Sequence, residues 1–253
     1  MLYLIGSGIN GHSSMPIEGI EACKGSDLVY IERYTSIITD NDLRKLESMV
    51  GKKIVELSRN ELEVDFEKKI LPIALKKNVS LIIVGDPLSA TTHIELLKEA
   101  KELGVKFKVI HASSIYSSIC ETGLFAYRFG KSVSIPYPEK NFNPKSFFET
   151  METNYKNNSH TLVFLDIKKD AEKYMSVNEG LKILLEISAE RKGFLTLKTE
   201  AVGVSRLGYN DQTIKFGKIE ELIKSDFKGR PQILIIPKLS EIEREYVEFL
   251  HGK

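Results

Sequence analysis

The chain has 253 residues, of which 42% are hydrophobic and 28% are charged, and its net charge is +1 at pH 7. This composition is typical of a globular protein with one large or two modest domains, and the near-neutral charge argues against a strongly electrostatic nucleic-acid binder. No apolar stretch approaches the ~18 residues that span a bilayer, and the first residues lack a signal-peptide pattern. We therefore expect a cytoplasmic protein without membrane or nucleic-acid partners.

Cysteine and histidine are sparse and do not indicate a metal site. Cys23 lies on a helical pattern and Cys120 beside another, which favours buried thiols over a disulfide. The histidines do not recur at the spacing of metal ligands. They are His12, His93, His111, His160 and His251. We expect no bound metal.

The first half of the chain alternates strand and helix patterns. Short apolar runs predict strands, and apolar residues near the helical period predict helices. The predicted strands are 2–6, 28–31, 54–55, 81–84 and 107–110. The predicted helices are 16–24, 40–50, 60–77 and 91–103. This alternation indicates an α/β fold with a mostly parallel sheet and helices on both faces.

The glycine-rich segment 6–11 follows the first strand and fits the dinucleotide-binding fingerprint, with Glu32 where a ribose-binding acid belongs. That fingerprint requires a helix that begins within the glycine-rich segment. Pro16 would interrupt such a helix. We therefore predict a flexible loop over residues 8–15, a helix from Pro16 onward and no nicotinamide cofactor.

Gly85-Asp86-Pro87 breaks a predicted strand and precedes a predicted helix. In open α/β sheets, ligands bind at the carboxyl ends of the strands. Gly85 permits a backbone conformation that other residues avoid, and Pro87 fixes the direction of the chain. The turn would bring a carboxylate and free backbone amides to a binding edge. An ordinary strand-to-helix turn is the alternative, since the same residues suit it.

The second half of the chain mixes its elements. Its predicted strands are 161–165, 200–205, 212–216 and 232–236, and its predicted helices are 144–157, 177–190, 218–224 and 240–250. The turn between strands 200–205 and 212–216 indicates an antiparallel hairpin. We therefore predict two domains, residues 1–112 with a mostly parallel sheet and residues 113–253 with a mixed α/β pattern.

Seven segments carry a resemblance to a known family. They are residues 1–8 (MLYLIGSG), 32–36 (ERYTS), 85–93 (GDPLSATTH), 111–117 (HASSIYS), 129–132 (FGKS), 164–167 (FLDI) and 231–237 (PQILIIP). The segments are collinear, extend over essentially the whole chain and resemble the diphthine synthase family, the diphthamide-pathway methyltransferases of archaea and eukaryotes. The Gly-Asp-Pro turn alone indicates only the wider tetrapyrrole-methylase class.

The resemblance implies two α/β domains with S-adenosylmethionine bound in the cleft between them and S-adenosylhomocysteine as product. It also implies a homodimer. The acceptor would be the amino group of a 3-amino-3-carboxypropyl chain attached to a histidine of translation elongation factor 2. The family leaves open whether three methyl groups are added or a fourth esterifies the carboxylate.

The resemblance also implies which residues bind the donor. They are Ile9, Asp86, Ser89, Ser114, Ile115, Leu165, Leu207 and Gln232. Two positions depart from the family pattern, since many members are expected to have histidine in place of Gln232 and proline in place of Ser113. The segment around Leu207 aligns less cleanly than the others.

Methyl transfer needs position and desolvation more than a triad of catalytic residues, because the cofactor carries the reactivity. His93 is the candidate base, with a backbone-bonded histidine as the alternative. Asp86 would bind polar groups of the donor, or cap its own turn. Ser114 would contact the donor, or cap a helix. The apolar positions would line an adenine pocket, or be ordinary core.

Tyr34 and Tyr116 are candidates for the acceptor site, because aromatic faces attract cationic methylated nitrogen. The alternative is two amphipathic core tyrosines. A basic stretch would contact the elongation factor, or be a solvated face. It comprises Arg128, Lys131, Lys140 and Lys145.

Two further functions remain open at this point. One is a tetrapyrrole-methylase relative that acts on a porphyrinoid carbon or on ribosomal RNA. The other is a non-catalytic protein that binds the elongation factor and keeps the nucleoside pocket as a sensor.

Overall fold

The structure is a computed structural model that describes residues 1–34, 36–139 and 142–252, with Asp170 described by its backbone alone. The chain forms two compact units, Met1–Ser117 and Ser118–Lys253. The domain boundary after residue 112 stays a prediction. No helix among the described residues is both long and apolar enough to cross a bilayer.

The first unit contains a five-stranded sheet in the order β3-β2-β4-β1-β5, and every pair of neighbours is parallel. The strands are β1 Leu2–Gly6, β2 Leu28–Glu32, β3 Val55–Leu57, β4 Val79–Ile83 and β5 Phe107–Ile110. In this order, the carboxyl ends of β4 and β5 lie on either side of the end of β1. The predicted parallel sheet is confirmed.

Helices cover both faces of this sheet. They are α1 Ile17–Gly25, α2 Asp40–Val50, α3 Arg59–Glu63, α4 Phe66–Lys69, α5 Leu71–Ala74 and α6 Ile94–Glu102, and α7 Ile115–Ser118 begins where the unit ends. Alternate residues of one strand belong to different cores. Leu4 packs in the cluster with α4 and α6, whereas Ile5 packs in the cluster with α1 and α2. Burial on both faces explains why these strands are continuous apolar runs.

The prediction of one long helix over residues 60–77 is wrong, because the structure has three short helices there, α3 to α5. A capping box on Ser58 begins α3, which ends where Val64 leaves helical geometry at φ −122°. Pro72 lies in the first turn of α5, where its missing N–H does no harm. Within a continuous helix the same proline would remove a backbone hydrogen bond.

The second unit contains a mixed five-stranded sheet in the order β11-β10-β12-β7-β6, in which only β6 and β7 pair in parallel. The strands are β6 Val133–Ile135, β7 Thr161–Leu165, β8 Ile167–Lys168, β9 Lys173–Tyr174, β10 Glu200–Ser205, β11 Thr213–Lys218 and β12 Gln232–Ile236, with β8 and β9 forming a separate pair. The predicted hairpin is confirmed, since Ser205 pairs with Thr213 in antiparallel register.

The helices of the second unit are α8 Ser146–Lys156, α9 Val177–Arg191, α10 Ile219–Leu222 and α11 Glu241–His251. Phe148, Leu184 and Leu234 belong to the core of this unit. Cys23 is buried as predicted, but the prediction for Cys120 is wrong, because its residue is exposed. Cys120 lies in a 3-10 helix, Ile119–Thr122, whose buried positions are Ile119 and Thr122.

Candidate functional site

Three loops meet at the carboxyl edge of the first sheet, after β1, β4 and β5. The first two are joined by a backbone bridge, since Gly8 and Gly85 each donate an N–H to the other's carbonyl at 3.0 Å. The first and third are joined by Ile9, whose N–H donates to Ser113 Oγ at 3.3 Å. The strand order creates this meeting, because β1 lies between β4 and β5.

Two glycines have opposite roles at this edge. A Cβ on Gly6 would lie 2.6 Å from the Gly85 carbonyl oxygen and 2.7 Å from Ala112 Cβ, so glycine is needed for the loops to approach. Gly85 has φ +81°, yet a Cβ there would meet no atom within 4 Å. The Gly85 turn is therefore packed on one side and open on the other. It has room for a ligand against its backbone.

The loop after β1 folds on itself. Ser14 Oγ accepts from Asn10 N at 2.8 Å and donates to the Ser7 carbonyl at 2.9 Å. Ser14 is the last residue of a 3-10 helix, Gly11–Ser14, and both of its partners precede that helix. α1 begins only after Pro16, as predicted. Glu32 is fully buried, and it accepts from Tyr34 N. The segment predicted as a loop therefore contains a short helix and lacks the helix N-terminus of the dinucleotide fingerprint.

Asp86 binds the turn after β4 to the loop after β5. It is 7% exposed, and its Oδ1 accepts from Leu88 N at 3.0 Å and Ser89 Oγ at 3.1 Å. Its Oδ2 accepts from His111 Nδ1 at 2.8 Å and Ala112 N at 3.2 Å. Burial alone would raise the pKa of Asp86, but these hydrogen bonds outweigh it and hold the pKa below its ordinary value.

His111 is the exposed partner of this carboxylate. It follows β5 directly, and its side chain is 67% exposed. Because an ionised carboxylate only accepts, Nδ1 carries the proton of this contact. No role in the site was predicted for this residue from the sequence. The one sequence signal for this residue is its position directly after a predicted strand, and its proximity to Asp86 follows only from the strand order, in which β1 alone separates β4 from β5.

His93 is buried, at 5% exposure, and its Nδ1 lies 3.2 Å from the Pro87 carbonyl, to which it donates. Burial lowers the pKa of His93, although the charges of Glu32 and Glu63 act in the opposite direction. This geometry matches the backbone-bonded alternative. A buried neutral imidazole that fixes the turn is poorly placed to accept protons from a large substrate.

The remaining candidates of the first unit surround these loops. Ser114 is buried, and its N–H donates to Ser117 Oγ at 3.0 Å, a contact at the start of α7. Ile9 and Ile115 are half-buried, and Tyr116 is exposed. The structure thus places Ile9, Asp86, Ser89 and Ser114 on the three loops, and Ile115 and Tyr116 in the short helix α7 that follows the third loop. Tyr34 lies on the neighbouring loop after β2.

Tyr34 already has partners within the unit. Its hydroxyl donates to Glu63 Oε1 at 3.4 Å, and the Arg59 guanidinium lies 5.9 Å from its ring centroid. Burial, together with nearby Glu32 and Glu63, raises the pKa of Tyr34. The next residue of this motif, Thr35, lies outside the described residues.

In the second unit, Leu165 and Leu207 are buried, at the end of β7 and in the β10–β11 turn. Gln232 begins β12, and its amide is occupied within the unit. Its Oε1 accepts from Val177 N at 2.9 Å, and its Nε2 donates to the carbonyls of Phe227 at 2.7 Å and Gly229 at 2.9 Å.

The basic stretch is partly neutralised. Arg128 pairs with Glu243, and Lys145 pairs with Glu190. Lys140 lies outside the described residues. The described residues contain no cluster of three or more histidine, cysteine, aspartate or glutamate side chains suited to a metal ion.

Comparison with known proteins agrees with the fold and the motifs. The sequence model of the tetrapyrrole (corrin/porphyrin) methylases matches residues 1–223. The diphthine synthase of Methanocaldococcus jannaschii is 37% identical, and the alignment covers 99% of this chain and 98% of that protein. The diphthine synthase of Methanocorpusculum labreanum is 39% identical, with 100% and 99% covered.

A solved structure has the same fold as this chain. A crystal structure of a diphthine synthase superposes with a TM-score of 0.89 at 30% identity and covers 99% of this chain and 95% of its own. Both the sequence relatives and this structure extend over essentially the full length. The chain therefore belongs to the tetrapyrrole methylase family and, within it, to the diphthine synthases, the methyltransferases of diphthamide biosynthesis.

Proposed function

We propose that the chain transfers methyl groups from S-adenosylmethionine to the amino group of 3-amino-3-carboxypropyl-histidine on translation elongation factor 2, in successive steps. It would act in the cytoplasm as a homodimer and release S-adenosylhomocysteine. The proposal rests on the diphthine synthase relationship. The observation that carries it is the open backbone at Gly85, which the three joined loops hold in place.

The donor would supply an activated methyl group, and the chain would supply position and desolvation. In the first unit the proposed donor residues are Ile9, Asp86, Ser89, Ser114 and Ile115. In the second unit they are Leu165, Leu207 and Gln232. The apolar members would exclude water from the adenine.

Two polar residues would contribute less directly than their residue types suggest. The carboxylate of Asp86 already accepts four hydrogen bonds, so we expect it to shape the turn more than to bind donor hydroxyls. Gln232 has both amide hydrogens engaged, so it retains only one lone pair on Oε1 for a ligand.

For the acceptor site we propose Tyr116 and Tyr34. The exposed ring of Tyr116 suits a cationic methylated nitrogen, since aromatic faces attract such groups. The ring of Tyr34 already has Arg59 near it, so its contribution would be smaller. Replacing Tyr116 by leucine would weaken the binding of the later, more methylated intermediates more than the binding of the unmethylated acceptor.

The proposed homodimer has one structural support. Tyr127 and Phe249 are 82% and 86% exposed. The ring of Tyr127 stacks on Phe125, whose ring in turn contacts Tyr246 edge to face. Phe249 follows Tyr246 by three residues on α11. Large exposed aromatic side chains are typical of an interface when they form a patch, and we propose that these two residues belong to one. Light scattering would show a dimer for the unaltered chain and a smaller species for Phe249→Lys.

The experiment that tests the function incubates the protein with S-adenosylmethionine and elongation factor 2 that carries the aminocarboxypropyl-histidine. Mass spectrometry of the modified peptide should show steps of one methyl group, and the final mass gives their number. Gly85→Ala should reduce both turnover and donor affinity measured by calorimetry. Donor binding without any mass gain would contradict the proposal and favour a porphyrinoid or RNA acceptor, or a non-catalytic sensor.

A further inference from the structure

We infer that His111 is the catalytic base of this methyl transfer, and that its Nε2 accepts the proton which the acceptor nitrogen loses. The inference rests on the proposed amine acceptor and adds a residue to it. It places proton removal on the exposed histidine after β5 and not on His93.

The geometry around His111 sets the state of its imidazole. Nδ1 lies 2.8 Å from Asp86 Oδ2, and a carboxylate held ionised can only accept there. The ring proton of the neutral imidazole therefore lies on Nδ1, and Nε2 keeps its lone pair. Nε2 forms no hydrogen bond to any residue that the structure describes, and the side chain is 67% exposed.

Asp86 is suited to orient this base. Backbone N–H groups of Leu88 and Ala112 hold its two oxygens, so the carboxylate cannot follow the imidazole if the ring turns. A buried carboxylate on Nδ1 fixes the tautomer and stabilises the imidazolium that forms when Nε2 accepts a proton. Asp86 is thus a positioning residue, and His111 is the group that contacts the substrate.

The location agrees with this role. Ala112, next to His111, is the residue whose Cβ closes on Gly6, and its N–H donates to Asp86. His111 is therefore anchored at the same junction of loops that leaves Gly85 open. This places the proposed base at the edge of the sheet where donor and acceptor are proposed to bind.

The other histidines of the first unit lack one of these features. His93 is buried, with Nδ1 on a backbone carbonyl. His12 has an Asp42 partner at 2.7 Å, but its side chain is 22% exposed and its Nε2 lies 3.2 Å from Ser13 Oγ. Only His111 combines a carboxylate on one nitrogen with an exposed, unpaired second nitrogen among the described histidines of this unit.

The acceptor amine is an ammonium ion at neutral pH and must lose one proton before it can attack. Nε2 of His111 takes that proton, the nitrogen lone pair bonds the methyl carbon, and the electron pair of the broken carbon–sulfur bond stays on sulfur. His111 then releases the proton to water. Each later methylation repeats the cycle until the nitrogen is quaternary.

The kinetic test compares His111→Asn with His12→Asn. Asparagine keeps a donor near the position of Nδ1 but cannot accept a proton, so both variants preserve the contact to their aspartate. Under single-turnover conditions with saturating donor, we expect His111→Asn to slow every methyl step about 100-fold or more. The rate of His12→Asn should stay within about threefold, and the donor Kd of both variants within about twofold, of the unaltered chain.

Two further measurements separate chemistry from structure. The deficit of His111→Asn should shrink as the pH is raised, because hydroxide then deprotonates the free ammonium without a protein base. Imidazole added to His111→Ala should restore part of the rate. This second variant also tests the inference if His111→Asn does not fold. A deficit that neither pH nor imidazole changes would overturn the inference.

A readout without activity keeps the inference separate from the proposed function. In ¹⁵N NMR of the unliganded protein, the neutral His111 ring should carry its proton on Nδ1, and an Nε2–H tautomer would overturn the inference. An unaltered chain that methylates while His111→Asn is equally fast also overturns it. No methylation by the unaltered chain would instead overturn the proposed function, and the inference with it.

Discussion

At the scale of single residues, Asp86 shows how a candidate ligand becomes a structural group. The Gly-Asp-Pro motif predicts a carboxylate at the carboxyl edge of the sheet, and the structure puts it there, but with its oxygens directed at Leu88, Ser89, His111 and Ala112. The sequence identifies which residues follow a strand. It does not show which strand ends are neighbours, and that adjacency is what makes His111 a partner of Asp86.

Asp86→Asn should destabilise the protein by about 1–3 kcal/mol, because an amide nitrogen would face donors that need an acceptor. Urea unfolding at pH 7 measures this change. Asp211→Asn is the control, since Asp211 is exposed and pairs with Arg206 at the surface, where water screens such pairs and they contribute little. Equal destabilisation by the two variants would contradict the structural role of Asp86.

At the scale of elements, the carboxyl edge of the first sheet depends on glycine conformation. Gly85 and Gly51 both have positive φ, +81° and +72°, and a Cβ on either would meet no atom within 4 Å. Gly51 caps the carboxyl end of α2, a position where a left-handed glycine is favoured. The two glycines therefore have similar backbone strain and differ in location. Gly85 lies at the carboxyl edge of the first sheet, and Gly51 lies at the end of α2.

Alanine at either glycine should cost about 1–2 kcal/mol of stability, because an L-residue pays for the left-handed conformation. If the open side of this turn holds the donor as proposed, only Gly85→Ala should also weaken donor binding, since its methyl group would enter that open space. Calorimetry with S-adenosylmethionine and urea unfolding of both variants separate the two effects. Unchanged donor affinity in Gly85→Ala would show that the open side of this turn does not hold the donor.

Element prediction succeeded where one signal dominates. The buried strands of both units and the hairpin of β10 and β11 follow from apolar runs and turn residues. The prediction of one long helix over 60–77 failed because apolar periodicity was given more weight than the proline at residue 72, and because nothing local predicts that Val64 leaves helical geometry. The parallel pairing of β6 with β7 was not predicted, since nothing local in these short segments specifies a partner.

At the scale of the whole molecule, stability against acid depends on a buried cluster in the second unit. Glu243 and His160 are fully buried, and Glu243 also pairs with Arg128. Lys238 N donates to His160 Nδ1 at 3.0 Å, so that nitrogen is unprotonated and Nε2–H donates to Glu243 Oε1 at 2.7 Å. His160 is therefore neutral in the folded chain.

Burial is the main cause that lowers the pKa of His160, and hydrogen bonds from Ser240 and His160 outweigh burial to hold the pKa of Glu243 at about 2. The unfolded chain thus binds more protons than the folded chain at acidic pH. Stability should fall as the pH drops below about 6.5, the ordinary value for histidine, and fall further between about 4.3 and 2 as Glu243 is protonated.

Urea midpoints from pH 8 to pH 3 measure this slope. Glu243→Gln should lose about 3 kcal/mol at pH 7, because it leaves Arg128 partly buried without its carboxylate, and should show a shallower decline below about pH 4.5. Glu248→Gln on the same helix is the control, since it changes only an exposed pair with Arg244. An unchanged acid slope in Glu243→Gln would contradict the assignment to this cluster.

The sheet order of the first unit also sets a sequence of events during synthesis. β1 pairs with β4 and β5, so Leu2 has no strand partner until Val79 and then Phe107 have been made. Contacts between such distant residues form slowly, because the intervening chain must first be ordered. The junction of Gly8, Gly85 and Asp86 with His111 is thus completed only when β5 joins the sheet. A nascent or partly folded chain that lacks β5 has no docked His111, and its Asp86 carboxylate lacks the two donors that His111 and Ala112 supply in the folded unit.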